Sequence, residues 1–268
     1  MNPQAEDHPN PNASVTANVA LTVSGYRLQM QLTVPTGPTR PVKLLPIFQS
    51  LADAVVGIAV RQAEAEGLAV SCRKGCGACC RQLVPLTAVE ARRLVELVAE
   101  MPEPRRAELR ARFAAARDAL EEAGLLEDLL APERIAKEAA PALGLKYFAR
   151  GIACPFLEEE SCSIHADRPV ACREYLVTSP AAHCAQPTAE TVKCVKIAGQ
   201  VSSAIASLEA RAGAANWVPL ILAPEWAEAS PEEVPARPGT ELVQEVFSRL
   251  TGQAINSESS PAAITRPK

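Results

Sequence analysis

Cys72-Arg-Lys-Gly-Cys76-Gly-Ala-Cys79-Cys80 sets four thiols within nine residues, and how those thiols are used decides what holds the chain together. A thiolate is a soft ligand for zinc or for the irons of an iron-sulfur cluster, and thiols this close in sequence meet at little loop-closure cost. The competing use is a disulfide framework. It is disfavoured because the chain is long at 268 residues, its nine cysteines are an odd number, and Met1 to Asn12 is polar and proline-rich with no apolar signal stretch. Adjacent Cys79 and Cys80 would be strained if bonded to each other, since a bridge needs Cα atoms about 4.4 to 6.8 Å apart. The expectation is metal chelation in a reducing, cytoplasmic setting.

Working outward, Gly75 and Gly77 suit the Cys76-x-x-Cys79 spacing of a metal knuckle, where glycine lets the backbone turn tightly around an ion. Neighbouring side chains point in different directions, so Cys79 and Cys80 both complete one compact site with Cys76 only if the backbone bends sharply. Either two centres exist, or one of the pair supports the other. On the N-terminal side Leu44, Phe48, Leu51, Val55 and Ile58 recur at helical spacing, and Gly67 stands where a C-cap would end the helix. On the C-terminal side Thr87 and Glu90 have capping-box spacing and open a helix carrying Val89, Leu94, Val95 and Val98. Two helices are thus expected to bracket Cys72 to Cys80.

A second cysteine group follows, as Cys154-Pro-Phe-Leu, Cys162-Ser-Ile-His165 and Arg168-Pro169-Val-Ala-Cys172-Arg173. Pro169 can open a helix with Cys172 in its first turn, where backbone N–H groups and Arg173 would stabilise a thiolate. Between the groups, Pro102 and Pro104 precede a helix running to about Glu122, and an amphipathic stretch after Pro132 carries Ile135, Leu143 and Phe148. Cys184, beside His183, could supply an eighth thiolate. Cys194 lies among Val192, Val195 and Ile197, within a segment from Thr191 to Ala212 that reads as a long helix, and is expected to be a small core residue.

The run Cys-x-x-x-Cys-x-x-Cys-Cys, followed by Cys-Pro-Phe-Leu, Cys-Ser-Ile-His and Arg-Pro-x-x-Cys-Arg, resembles the YkgJ-like cysteine-cluster family of zinc- or iron-chelating proteins. The likeness runs from Cys72 to about Tyr175. Carried over residue by residue, it implies that Cys72, Cys76, Cys79, Cys80, Cys154, Cys162 and Cys172 are metal ligands. His165 stands where many relatives have tyrosine, so a surface or supporting imidazole is expected there. More distantly, the pattern is similar to flagellin lysine N-methylases, which implies S-adenosylmethionine-dependent protein lysine methylation as an alternative function.

Composition bounds the rest. Aromatic residues make up only 4% while alanine and leucine dominate the middle of the chain, which favours helices. The fold class expected is mainly α: a helical metal-binding domain stapled by its cysteine cluster, with an N-terminal β-hairpin. With 27 Lys+Arg against 31 Asp+Glu and a net charge of -4, no electrostatic footprint for nucleic acid or an acidic membrane is present. Arg105, Arg106, Arg110, Arg112 and Arg117 alternate with Glu103, Glu108 and Asp118 at helical spacing and read as a solvated helix face. No apolar run is expected to reach the roughly 20 residues of a membrane span, the longest candidate, Leu51 to Val60, being interrupted by Asp53.

Residues 13–34 alternate strictly, and a two-residue turn at Ser24-Gly25 pairs Val23 with Tyr26, putting every apolar side chain of both strands on one face. That face is expected to pack on the helical body, with docking on a second subunit as the alternative. The organisation predicted is a disordered leader over 1–12, the hairpin and a proline-rich linker over 13–41, the helical metal-binding domain over 42–251 with its core motif at 72–184, and a disordered tail over 252–268.

No P-loop, Gly-x-Ser-x-Gly or His-Glu-x-x-His run occurs, and the one Gly-x-Gly, at Gly75 and Gly77, lies inside the cysteine cluster. No catalytic residue is assigned. Cys76-Gly-Ala-Cys79 is also a Cys-x-x-Cys, but its surroundings are not a strand-helix redox unit. The function expected is chelation of zinc or iron, including a [4Fe-4S] cluster as one form. A further alternative is a zinc-stapled interaction module whose hairpin and Trp217 to Trp226 segment meet a protein partner. Packing is the commoner use of such an apolar segment.

Overall fold

The computed structural model describes residues 13–188, 190–209, 217–230 and 235–252, so the expected leader and most of the expected tail lie outside the described residues. Strands β1 (Ser14–Val23) and β2 (Tyr26–Pro35) pair antiparallel with Val23 opposite Tyr26. Ser24 and Gly25 take φ of 46° and 87°, the doubly left-handed turn whose twist matches a two-residue hairpin. Leu21, Val23, Leu28, Leu32 and Val34 are buried within the chain, while Thr16, Asn18 and Gln31 face outward. Tyr26, at the turn, is the apolar-face member left exposed.

Short β3 (Pro38–Thr39) and a 3₁₀ turn at Pro41–Leu44 lead into α1 (Leu45–Ala65), which ends at left-handed Gly67. By length and composition the helical run Pro41–Ala65 is apolar enough to cross a membrane, contrary to expectation, because between Lys43 and Arg61 its only charge is Asp53. In this fold it is a core helix: Leu44, Phe48, Leu51, Ala52 and Val55 are buried, and Asp53 pairs with Arg173.

Beyond the first cysteine group come β4 (Pro85–Leu86), α2 (Ala88–Glu100), α3 (Arg105–Glu122), α4 (Leu126–Leu130) and α5 (Ala140–Phe148). Then follow β5 (Leu157–Glu158), β6 (Ser161–Cys162), α6 (Val170–Glu174) and α7 (Val201–Ala206). The C-terminal part holds β7 (Val218–Pro219), α8 (Ala223–Ala229), β8 (Arg237–Pro238) and α9 (Gly239–Thr251). The short strands tie distant segments together, β3 to β8 and β4 to β7.

Two apolar clusters result. One packs the hairpin on α1, α7 and α9 around Phe48, Leu51, Ile205, Leu242 and Val246. The other joins α2, α3 and α4 to the Trp217 to Trp226 segment around Leu94, Leu109, Leu120 and Leu222. Phe113 meets Phe156 edge to face at 5.6 Å in the second cluster. Val170, beside the later cysteines, belongs to the first cluster, whereas Phe156 and Ile164, with Cys154 and Cys162 against them, belong to the second. The cysteine-bearing loops therefore run where both cores are anchored.

Two expectations are corrected. The segment from Thr191 is not one long helix: α7 begins only at Val201, and Cys194 makes an isolated antiparallel bridge to Val177. Thr191, Val192, Val195 and Ile197 are β-branched, and although Thr188 Oγ1 caps a single turn by accepting the Thr191 N–H at 3.2 Å, a strand partner is available at Leu176 to Thr178. Cys194, expected in the core, is exposed. The stretch after Pro132 opens with a 3₁₀ turn, Pro132–Arg134, and is α-helical only from Ala140, where its buried residue is Tyr147 rather than Leu143 or Phe148.

Candidate metal centre

The first cysteine group folds as a loop closed by a 3₁₀ turn, Ala78–Arg81. Gly75 turns the chain with φ of 85°, and its N–H donates to Ser161 Oγ at 3.1 Å. Gly77 has an ordinary backbone, so it is needed for space. A Cβ there would stand 2.5 Å from Glu160 Oε2 and 2.7 Å from Leu157 Cδ1. That gap lets the β5–β6 hairpin, which carries Cys162, lie directly on the loop. Arg81 clamps the contact through two hydrogen bonds to Glu160, at 2.9 and 2.6 Å. Cys154 is drawn to the same loop, its N–H donating to Cys80 O at 2.8 Å.

The 3₁₀ turn supplies the sharp bend that adjacent Cys79 and Cys80 require. The Cys80 thiol hydrogen-bonds the Cys79 sulfur, which pulls the Cys79 pKa down to about 7 and drives that of Cys80 far above its usual value. Burial pushes Cys154 up to about 12 and raises Cys162, although each sulfur accepts a backbone N–H two residues on, from Phe156 and Ile164. Cys172 sits in the first turn of α6 as expected, but burial raises its pKa well above the usual value and Arg173 is engaged by Asp53, so the expected stabilisation of its thiolate by Arg173 is corrected. Neighbouring thiols add to these shifts: Cys79 acts on Cys80, Cys154, Cys162 and Cys172.

Cys72 lies apart from that inner set. Its sulfur accepts the Val177 N–H at 3.4 Å, and the Ser71 N–H donates to Val177 O at 2.9 Å. Burial raises the Cys72 pKa, with Cys79, Cys76 and Cys194 adding to the rise. Cys184 is buried in a 3₁₀ turn, Ala181–Ala185, and its pKa is raised by burial and then by Cys72, Cys76, Cys79 and Cys194. His165 is exposed, its pKa lowered by Arg168 and by burial, as expected of an imidazole outside the centre.

Two supporting groups escape a reading of the sequence. Glu90 closes the expected capping box with Thr87, but its other oxygen accepts the Val170 N–H at 2.7 Å and so caps α6, the helix of Cys172. The buried Arg173 guanidinium binds Asp53 of α1 at 2.7 Å and the carbonyls of Ala166 and Arg168. The capping box is a local signal, whereas both of these second partners are distant in sequence. An open cleft of about 740 Å³, walled by Cys76, Gly77, Arg81, Phe148 and Pro187, reaches the first loop from solvent.

All nine cysteines are free thiols. Among the described residues no three Cys, His, Asp or Glu side chains close on one point. The sulfurs are gathered and hydrogen-bonded, and closing them on a cation requires loss of their protons and rotation of their side chains. The donor set nonetheless fits a soft metal. Backbone N–H groups aimed at sulfur favour thiolate, while burial and neighbouring thiols oppose several negative charges, and a bound cation resolves that conflict.

Clustered, partly buried thiols held between helices define the class: a cysteine-cluster metal-binding domain. Residues 71–195 match the model of the CxxCxxCC family, described as "Putative zinc- or iron-chelating domain", the family that YkgJ-like proteins belong to. No curated protein and no solved structure matches the chain.

Proposed function

We propose that this protein chelates zinc or iron through buried cysteine thiolates and that the metal joins the two apolar clusters into one stable body. The observation that carries the reading is the inner group: the Cys154 N–H is bound to Cys80 O and the β5–β6 hairpin of Cys162 lies on the Cys79–Cys80 loop, while burial disfavours the anionic forms of Cys154, Cys162 and Cys172. Several desolvated thiols in one place are poor neighbours as anions and good ligands for a cation. Nine free thiols also suit a reducing compartment, and the cytoplasm is the location proposed.

The test is purification without oxygen, followed by elemental analysis for zinc, iron and acid-labile sulfide and a visible spectrum. Stoichiometric zinc in a colourless protein assigns a zinc site. Iron with matching sulfide and a broad band near ~400 nm assigns an iron-sulfur centre, since bound clusters are thiolate-ligated iron and sulfide. Protein free of both metals, and unable to take up either after reduction of its thiols, refutes the reading.

A further inference from the structure

Strand β1 has an open edge. It pairs with β2 one to one along its whole length without a bulge, and among the described residues no third strand joins the two. The Thr36 N–H donates to Ala13 O at 2.9 Å and the tight turn lies at Ser24-Gly25, which together set the odd-numbered residues of β1 in the hydrogen-bonded pairs with β2. The backbone N–H and C=O groups of Thr16, Asn18, Ala20 and Thr22 therefore point away from β2, along the free edge. Their side chains stand on the exposed face.

The two edges of the hairpin are not alike. Helix α1 packs against β2, and α9 against both strands. On β2 Leu28, Leu32 and Val34 are buried, whereas on β1 Val15, Ala17 and Val19 are only half-buried. An edge strand is normally blunted by a charge, a proline or a bulge. β2 carries Arg27 and ends in Pro35, but Ser14–Val23 has none of these.

A second copy of the same strand fits this edge. In an antiparallel pair about a two-fold axis at Val19, the outward groups of Thr16, Asn18, Ala20 and Thr22 meet one another and form about eight interchain hydrogen bonds, two for each pair. Because the strand alternates strictly, every apolar residue then faces an apolar residue, and the exposed row faces its own kind. No like charges meet, since the strand has no charge. Both bodies lie on the same side of one continuous sheet, where each can cover the other's half-buried Val15, Ala17 and Val19. We propose that β1 is a self-association edge through which two copies of this chain join into a four-stranded antiparallel sheet. The proposal requires nothing of the cysteine loops or of a metal held there.

The test is the mass of the reduced full chain, as purified, by sedimentation equilibrium over a concentration series. At about 100 µM the native chain should approach twice its 28.4 kDa mass, as a small, weak interface allows. Asn18 and Ala20 face each other across the axis and are exposed, so both can carry charges without entering the core. Asn18→Lys with Ala20→Lys sets like charges opposite each other and should raise the dimer Kd at least about tenfold, whereas Asn18→Lys with Ala20→Glu sets opposite charges together and should keep the dimer, more firmly at low salt. Circular dichroism checks that both variants are folded. A native chain that stays monomeric at every concentration overturns the proposal and leaves the edge to a different occupant. Equal association of the two variants, whether kept or lost, overturns it as well, because an axis at Val19 requires them to differ.

Discussion

Gly77 packs on the β5–β6 hairpin whose turn holds Glu159, and replacing the two should move stability in opposite directions. At Gly77 an added Cβ would meet Glu160 Oε2 at 2.5 Å and, less yieldingly, the Glu160 Cα at 3.1 Å. Gly77→Ala should therefore cost about 1–3 kcal/mol by overpacking and weaken metal retention, read by urea unfolding and by metal content. Glu159 is exposed and left-handed with φ of 47°, beside Glu160 at 54°. Glu159→Gly relieves that conformation and should gain up to about 1 kcal/mol in the same titration. At Glu90 the carboxylate accepts from Thr87 N, Thr87 Oγ1 and Val170 N. Glu90→Gln turns an amide N–H toward a donor and should cost about 1–3 kcal/mol, with slower metal uptake because the helix of Cys172 loses its cap. The requirement for glycine at position 77 was legible in the sequence, but its cause was not. A knuckle turn predicts backbone freedom, whereas the need is for space against a hairpin that arrives from more than eighty residues away.

Elements whose signals are local were legible: the Ser24-Gly25 turn, the Thr87–Glu90 box, the Gly67 stop and the opening of α6 after Pro169 are each complete within a few residues. The misread segment, Thr191 to Gln200, is held by a nonlocal partner. Its apolar spacing fits a helix, yet Leu176 and Thr178 offer it a ladder that a reading of neighbouring residues cannot reveal. The expected solvated face of α3 is also a docking face, for Arg105 and Arg112 both reach Glu158 on β5. Burial pushes the Glu158 carboxyl up, but the two arginines outweigh it and hold its pKa below the usual carboxylate value. A carboxyl depressed in the folded state stabilises it above the unfolded pKa, and the gain fades as pH falls through the folded value. Stability measured by urea unfolding should therefore fall as pH drops below about 4.5, the ordinary glutamate region, and Glu158→Gln should flatten part of that fall. An identical pH profile in the variant would contradict the assignment.

At the scale of the molecule, two apolar clusters share few long elements, and the cysteine loops span the distance between them. Val170 is fixed in the hairpin-side core, Phe156 and Ile164 in the other, and Cys172, Cys154 and Cys162 stand beside these anchors. The helical class with its hairpin was readable from composition and periodicity, and the gathering of the cysteines from their spacing. The division of the body into two cores was not, because α2 supplies Val89 to one and Ala91 and Leu94 to the other from a single amphipathic run. On the reading proposed, a metal held across these loops would stabilise the whole, since its binding free energy would be part of the folding free energy. Thermal unfolding of the metal-loaded protein, recorded before and after removal of the ion by a strong chelator in reducing buffer, tests that coupling most directly. The account predicts a midpoint lowered by several degrees, about what a loss of a few kcal/mol produces in a chain of this size, and recovered when metal is returned. A midpoint unchanged by complete removal of the metal would contradict it.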